Sequence, residues 1–314
     1  MIGSIARVRV PASSANLGPG YDCAGLALAL YDELTAKVVA DEELTIKVSG
    51  EGAESVPRDD THLVIQAIAR GFAEAGALVP GLRLTCLNQI PHGRGLGSSS
   101  AAIVAGLGLA RELLDNGAEL LPDDRLIALA ADMEGHPDNV APAVLGRFTL
   151  AWTDEYGVGR GLRLAPEARL QPVVAIPRAA LSTERARELL PAQISHADAA
   201  ANSGRAALLV EAMTTHPELL LVGTEDRLHQ QYRRFAYPES YALLTTLRNQ
   251  GIPAVISGAG PTVLAVGLAG SEYDSTAVSA AMEAALVTQG SAVRQGFEVI
   301  RVAVANHGLR VLAS

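Results

Sequence analysis

Hydrophobic positions along this chain change their period several times, and each change predicts an element. Arg7-Val8-Arg9-Val10 alternates polar and apolar residues, the period of a half-buried strand. Leu34 to Val39 and Leu44 to Val48 read as two more strands. In the second, Leu44, Ile46 and Val48 share one face while Thr45 and Lys47 share the other. Gly50-Glu51-Gly52 turns the chain, and from Thr61 the period lengthens. Val64, Ile68 and Phe72 recur every four residues with Ile65 beside them, which predicts a helix with one buried face. Leu82, Leu84 and Cys86 return to the strand period. Ala101 to Ala110 is an apolar run that fits a buried helix, with Ser98 or Ser99 as its expected N-cap. Asp123 and Asp124 open a further helix carrying Leu126, Leu129 and Met133, and Arg147 to Trp152 reads as a strand closing the first half.

Residues 153–171 contain glycine and arginine without a clear period, so the boundary is expected there, with domains at 1–155 and 156–314. Beyond it come a buried strand at Gln171 to Pro177 and a helix starting at Ser182-Thr183. An alanine-rich helix follows at 197–213. The strand at Ala254 runs into Ser257-Gly258-Ala259-Gly260-Pro261-Thr262 and resumes at Val263. A helix near 273–287 and strands near 297–305 and 309–313 complete the chain, and no segment repeats. Patterning by itself gives an α+β mixture.

At 314 residues the chain is expected to hold about two domains. Apolar residues make up 49%, enough for real cores. The formal net charge of −9 argues against a general nucleic-acid binder, which would carry a basic patch, but not against a local anion site. Cys23 and Cys86 provide no disulfide framework and no metal-ligand cluster. Met1-Ile2-Gly3-Ser4 lacks the pattern of a signal peptide, and no apolar run approaches the roughly 18 residues of a membrane span. The expectation is a cytoplasmic protein with neither a membrane nor a nucleic acid as partner.

The densest chemistry lies in Pro91, His92, Gly93, Arg94, Gly95, Leu96, Gly97, Ser98, Ser99, Ser100 and Ala101. Glycines at alternate positions permit positive φ and close backbone approach. Placed before a helix, such a loop gathers free N–H groups at the positive end of a dipole, which suits phosphate. The P-loop pattern G-x-x-x-x-G-K-S/T fails, because the loop has no lysine. The dinucleotide pattern G-x-G-x-x-G fails on spacing. The stretch instead resembles the phosphate loop of the GHMP kinases, P-x-x-x-G-L-G-S-S-S/A-A.

Pro11-Ala12-Ser13-Ser14-Ala15-Asn16-Leu17-Gly18-Pro19-Gly20-Tyr21-Asp22 has turn chemistry over twelve residues, long for a plain connection and so read as an ordered functional loop. It closely resembles the first motif of the homoserine-kinase branch of that superfamily. Four further segments carry the same resemblance. Glu134-Gly135-His136-Pro137-Asp138-Asn139-Val140-Ala141-Pro142 is similar to E…H-x-D-N-V-A-P, with few residues between Glu and His. Ser182 to Arg187 matches S-T-x-x-A-R. Asp226 to Arg233 matches D-x-L-H-x-x-Y-R, and Ser257 to Thr262 matches S-G-S/A-G-P-S/T. On a helix Arg233 and Arg234 point about 100° apart, and the motif selects Arg233. His229 reads equally as core, cap or contact.

The resemblance implies the two-domain α+β fold of the GHMP kinases. Its first half is like domain 2 of ribosomal protein S5, and its second is a ferredoxin-like sandwich. It implies ATP-dependent phosphorylation of the side-chain hydroxyl of L-homoserine, a step of threonine biosynthesis. Asp22 would hold the ammonium. Arg187 and Arg233, with Thr183 on the same helical face as Arg187, would hold the carboxylate. Asn16, Asn139 and His136 would orient the hydroxyl. Residues 91–101 would bind the phosphates, and His62 stands where relatives often carry an asparagine near the nucleotide base. A carboxylate beside a triphosphate suits Mg²⁺ better than a transition metal, so Ser99 and Glu134 are the expected Mg²⁺ ligands. No clear general base is present. The expected partners are a small-molecule substrate and, as an option, a second copy of the chain in a homodimer. A mevalonate or sugar kinase of the same superfamily, or a catalytically silent ligand sensor, are the alternatives.

Overall fold

Two sheets, each covered by helices, account for the regular structure in the computed structural model. It describes residues 2–40, 44–181 and 183–313, apart from the side chains of Thr183 and Glu184. Strands β1 (Ile5–Asn16) and β2 (Gly20–Val39) form the spine of the first sheet as a long antiparallel pair. β3 (Thr45–Gly50) runs parallel to β4 (Gly81–Asn88), and β4 runs antiparallel to the second half of β2. The first half of β2 instead pairs with β5 (Phe148–Thr153), which carries β6 (Gly159–Leu164) at its outer edge. One 20-residue strand therefore serves two partners.

The helix Leu63–Glu74 buries the predicted stripe of Val64, Ile68 and Phe72. It packs on the helix Ser98–Leu113, which in turn lies on β1. Phe72, Ile103, Leu107, Val8, Leu26 and Leu84 meet in one core, each 1% exposed or less. Each such large side chain contributes roughly 1.5–3 kcal/mol on burial. This core holds the start of the helix Ser98–Leu113 rigidly beside the end of β1.

The second sheet has the order β10–β7–β9–β8, formed by β7 (Leu170–Pro177), β8 (Ala254–Ile256), β9 (Val263–Leu268) and β10 (Phe297–Arg301). Helices Pro238–Asn249 and Ser275–Gln289 cover it, with Leu243, Leu247, Val278 and Met282 packed on Val263 and Ala265. The chain then returns to the first sheet, where β11 (Arg310–Val311) pairs with β1.

Three expectations change. The segment Pro11 to Asp22 is mostly not a loop: β1 continues to Asn16 and β2 begins at Gly20, leaving a turn of three residues. Alanine, proline and asparagine do not favour strand, and the pairing with β2 decides the conformation. The division at 155/156 does not follow the sheets. β6 extends the first sheet to Leu164, and β11 brings the last strand back to it. Gly97 in left-handed conformation precedes the helix that begins at Ser98, so Ser98 and Ser99 lie in its first turn instead of capping it.

Candidate active site

The glycine loop is shaped by what its carbonyls do. His92 O accepts from Arg94 Nη1 at 2.6 Å, and Gly93 O accepts from Leu181 N at 2.8 Å. Arg94 O accepts from Thr262 N at 3.3 Å, Gly95 O from Ser257 Oγ at 2.6 Å, and Leu96 O from Ser13 N at 3.0 Å. Five successive carbonyls are thus turned into the protein. No backbone N–H from His92 to Ser100 donates to an acceptor among the described residues. The amides are left for a ligand, at the N-terminus of a 16-residue helix, and together they make an anion site.

Two glycines have no substitute here. Gly95, at φ +73°, would place a Cβ 2.2 Å from Ser257 O. Gly97, at φ +69°, would place one 2.0 Å from Ser13 Oγ and 3.1 Å from Asn139 Oδ1.

On one side of this loop lies a cavity of about 250 Å³ reached by Asn16, Asp22, Glu134, Asn139, Arg187 and Arg233. Asn16 and Asp22 are held at φ +69° and +55°, a conformation that non-glycine residues adopt rarely. The surroundings fix it: Asn16 Oδ1 accepts from Asp22 N at 2.9 Å, and its Nδ2 donates to Gly258 O at 3.0 Å. The turn at residues 257–262 between β8 and β9 of the second sheet therefore anchors the first motif.

Asp22 is paired. Arg187 donates to its two carboxylate oxygens at 2.8 and 3.2 Å, and to the Tyr21 hydroxyl at 3.0 Å. Arg233 is 1% exposed. Its Nε donates to Ala186 O at 2.8 Å, next to Arg187, and its guanidinium lies 5.5 Å from the Tyr21 ring centroid. Arg234 turns away onto the exposed Phe235 ring. Beneath Arg233, His229 is fully buried and donates from Nε2 to Gly18 O at 2.9 Å. Its Nδ1 is then the acceptor for Arg233 Nη1 at 3.3 Å. Burial lowers the His229 pKa against the opposing charge of Asp226, and an Nδ1 that accepts from Arg233 belongs to a neutral ring.

Glu134 ends the helix Asp123–Glu134, which Gly135 terminates in left-handed conformation. Its Oε1 accepts from Ser99 Oγ at 2.6 Å. Asn139 Oδ1 accepts from Ser13 Oγ at 2.9 Å, which leaves its amide hydrogens for the cavity. His136 Nδ1 meets Asp138 Oδ1 at 2.6 Å. Burial alone would lower the His136 pKa, but the bond and charge of Asp138, with Glu134 beyond, raise it.

A second cavity of about 290 Å³ opens on the other side of Ser98 and Ser99. His62 and His92 both line it, and burial is the main cause that lowers each imidazole pKa. Asp32 on β2 also lines it, with its pKa raised by burial to about 6.

The expected site residues divide accordingly. Asn16, Asp22, Glu134, His136, Asn139, Arg187, Arg233, Gly93, Gly95, Gly97, Ser98 and Ser99 converge on the first cavity. His62 and His92 belong to the second. Arg94 does not face the anion site. Its guanidinium donates to the carbonyls of Pro177, His92 and Arg178, tying the loop to β7. Pro91 lines a surface pocket beside Arg94, while Leu96, Ser100 and Ala101 are buried. The side chain of Thr183 lies outside the described residues. Sequence reading gave Tyr21 no role, left His229 open as core, cap or contact, and did not place Asp138 among the site residues. Tyr21 stands beside Asp22 in the first motif, which was the available signal, and only the fold brings Arg187 and Arg233 to its ring.

Models for the N-terminal domain and the C-terminal domain of GHMP kinases match residues 62–147 and 198–287. The homoserine kinase of Streptomyces avermitilis is 57% identical over 260 residues, 83% of this chain and 85% of that protein. The homoserine kinase of Clavibacter michiganensis is 52% identical over 265 residues, 84% of this chain and 83% of that protein. The crystal structure of homoserine kinase from Cytophaga hutchinsonii superposes with a TM-score of 0.84 at 24% identity, covering 99% of this chain and 98% of that one. That likeness establishes the fold, and the sequence identities establish the lineage. The chain belongs to the homoserine kinases of the GHMP kinase family.

Proposed function

We propose that the protein transfers the γ-phosphoryl group of ATP to the side-chain hydroxyl of L-homoserine, giving ADP and O-phospho-L-homoserine on the way to threonine. The observation that carries this is the Asp22–Arg187 pair, with Arg233 behind it, in a cavity that opens onto the amide-lined loop. A zwitterionic amino acid fits such a pair. Its ammonium takes Asp22 and its carboxylate takes Arg187 and Arg233, so one internal ion pair is exchanged for two with the substrate. A mevalonate or sugar offers no ammonium, and would leave Asp22 with Arg187.

The free amides from His92 to Ser100 hold the phosphates. Mg²⁺ fits the donor set at this place: the Ser99 hydroxyl and Glu134 carboxylate are hard oxygens already 2.6 Å apart beside the loop. Such an ion, when bound, would neutralise charge on the phosphate oxygens. Asn139 Nδ2 is free to donate into the cavity, and Asn16 is fixed beside Asp22, so both can orient the hydroxyl without adding charge. Phosphoryl transfer depends mainly on positioning and charge stabilisation, so it proceeds without a strong base.

A coupled assay of ADP release with a panel of alcohols tests the reading. Homoserine should be the preferred acceptor, and an amino alcohol lacking the carboxylate should be poor. Preference for mevalonate or a sugar would sink the homoserine assignment.

Arg233→Ala should raise the KM for homoserine at least about tenfold, with the KM for ATP little changed. Its Tm should fall as well, because Ala186 O and His229 Nδ1 lose a buried donor. Arg234→Ala should change none of these, since its side chain lies on the surface. If Arg234→Ala is the damaging change, Arg233 is not the carboxylate ligand.

A further inference from the structure

His229 lies between two segments that build the amino-acid end of the first cavity, and it uses both ring nitrogens. Nε2 is 2.9 Å from Gly18 O in the turn between β1 and β2, and Nδ1 is 3.3 Å from Arg233 Nη1. The turn cannot retreat, because a Cβ on Gly18 would stand 2.4 Å from Thr224 O. A carbonyl only accepts, so the Gly18 contact puts the ring proton on Nε2. Asp226, whose side chain is buried, lies 3.8 Å from that nitrogen. Its oxygens are engaged by the N–H groups of Leu228, His229 and Gln230, which fix the turn that carries the ring. Nδ1 is left as a lone pair aimed at Arg233.

Arg233 needs an acceptor of this kind. It is buried, and among the described residues no carboxylate pairs with it. A carboxylate at position 229 would hold the guanidinium but neutralise it, and would compete with an anionic ligand. An apolar residue there would leave an arginine donor and Gly18 O without partners. A neutral imidazole holds the fork and leaves its charge for a ligand.

We propose that His229 is the positioning residue of Arg233: its Nδ1 lone pair sets the orientation in which the guanidinium receives the substrate carboxylate, without cancelling the charge that attracts it. The inference rests on reading Arg233 as the carboxylate ligand. It gives a role to a histidine four residues before that arginine, which sequence alone leaves open as core, cap or contact.

Two substitutions in the full chain separate the nitrogens. In His229→Asn the side-chain oxygen can stand where Nδ1 stood, and the Gly18 contact is lost. In His229→Gln the amide NH2 can reach Gly18 O, and no acceptor remains at the place of Nδ1. The KM for homoserine should be at least about tenfold higher in His229→Gln than in His229→Asn, with kcat and the KM for ATP differing little between them. A histidine that only supports the fold would give no such split, whatever each change does to Tm. Equal homoserine KM in the two variants overturns the assignment, and so does a higher KM in His229→Asn. Adding His229→Gln to Arg233→Ala should raise the homoserine KM no further, because the histidine acts through the arginine. A further tenfold rise, about that of the single change, overturns the assignment too. Should either variant not fold, nitrogen-15 NMR of the parent decides. A neutral His229 ring protonated on Nε2 supports the assignment, and a charged ring or the Nδ1–H tautomer overturns it. A homoserine KM unchanged in Arg233→Ala removes the carboxylate reading and this inference with it. A raised KM in Arg233→Ala, with equal KM in the two His229 variants, removes this inference alone.

Discussion

Gly97→Val is expected to abolish nucleotide binding, read as loss of the rise in Tm that ATP or ADP gives the parent. The backbone there has φ +69°, and a Cβ would stand 2.0 Å from Ser13 Oγ. Ser13 is fully buried on β1 and bonded to Asn139, so it cannot retreat. The loop must move instead, and the free amides move with it. Forcing a β-branched residue into left-handed conformation adds roughly 1–3 kcal/mol of strain. The remaining cores are untouched, so the apo protein should still unfold cooperatively, at a lower Tm. In the parent, nucleotide at about 100 times its Kd stabilises by about 2.7 kcal/mol. Should Gly97→Val keep the ATP-induced shift of the parent, the phosphates bind elsewhere.

Glu134→Gln should cut turnover about a hundredfold, a loss of about 3 kcal/mol in the transition state. The side chain is the same size, and its remaining oxygen can still accept from Ser99 Oγ, so the position survives while the charge is lost. Tm should stay near that of the parent, which separates this effect from unfolding. Near-normal turnover of the variant at limiting Mg²⁺ would remove Glu134 from the metal shell. Asp138 would be tested next, although it is 2% exposed and its Oδ1 is engaged by His136 and Asn139 N.

The pair Arg233 and Arg234 shows what helical geometry alone conveys. Adjacent residues cannot face one ligand, and the structure buries the first while leaving the second on the surface. The glycine loop shows the limit of local rules. Serine is a favoured N-cap, but Gly97 precedes the helix, because contacts with Ser13 and Asn139 require a residue without Cβ in left-handed conformation. Arg94 marks another limit. A cation in a phosphate loop reads as an anion ligand, and here three backbone carbonyls from two segments claim it instead.

What the sequence determined by itself is local. Period 2 and period 4 patterns marked most strands and helices, and glycine spacing marked a loop able to bind an anion. These follow from backbone sterics and from burial of one face, which depend on near neighbours. Tertiary structure decided which distant groups meet. Arg187 reaches Asp22 across 165 positions, and Gly258 O reaches Asn16 across 242. It also made strands of Pro11 to Asn16 and Gly159 to Leu164, whose composition favours turns, because β2 and β5 offered unpaired backbone groups to them. A strand's hydrogen bonds lie outside the strand itself, so its own residues cannot report whether a partner stands there.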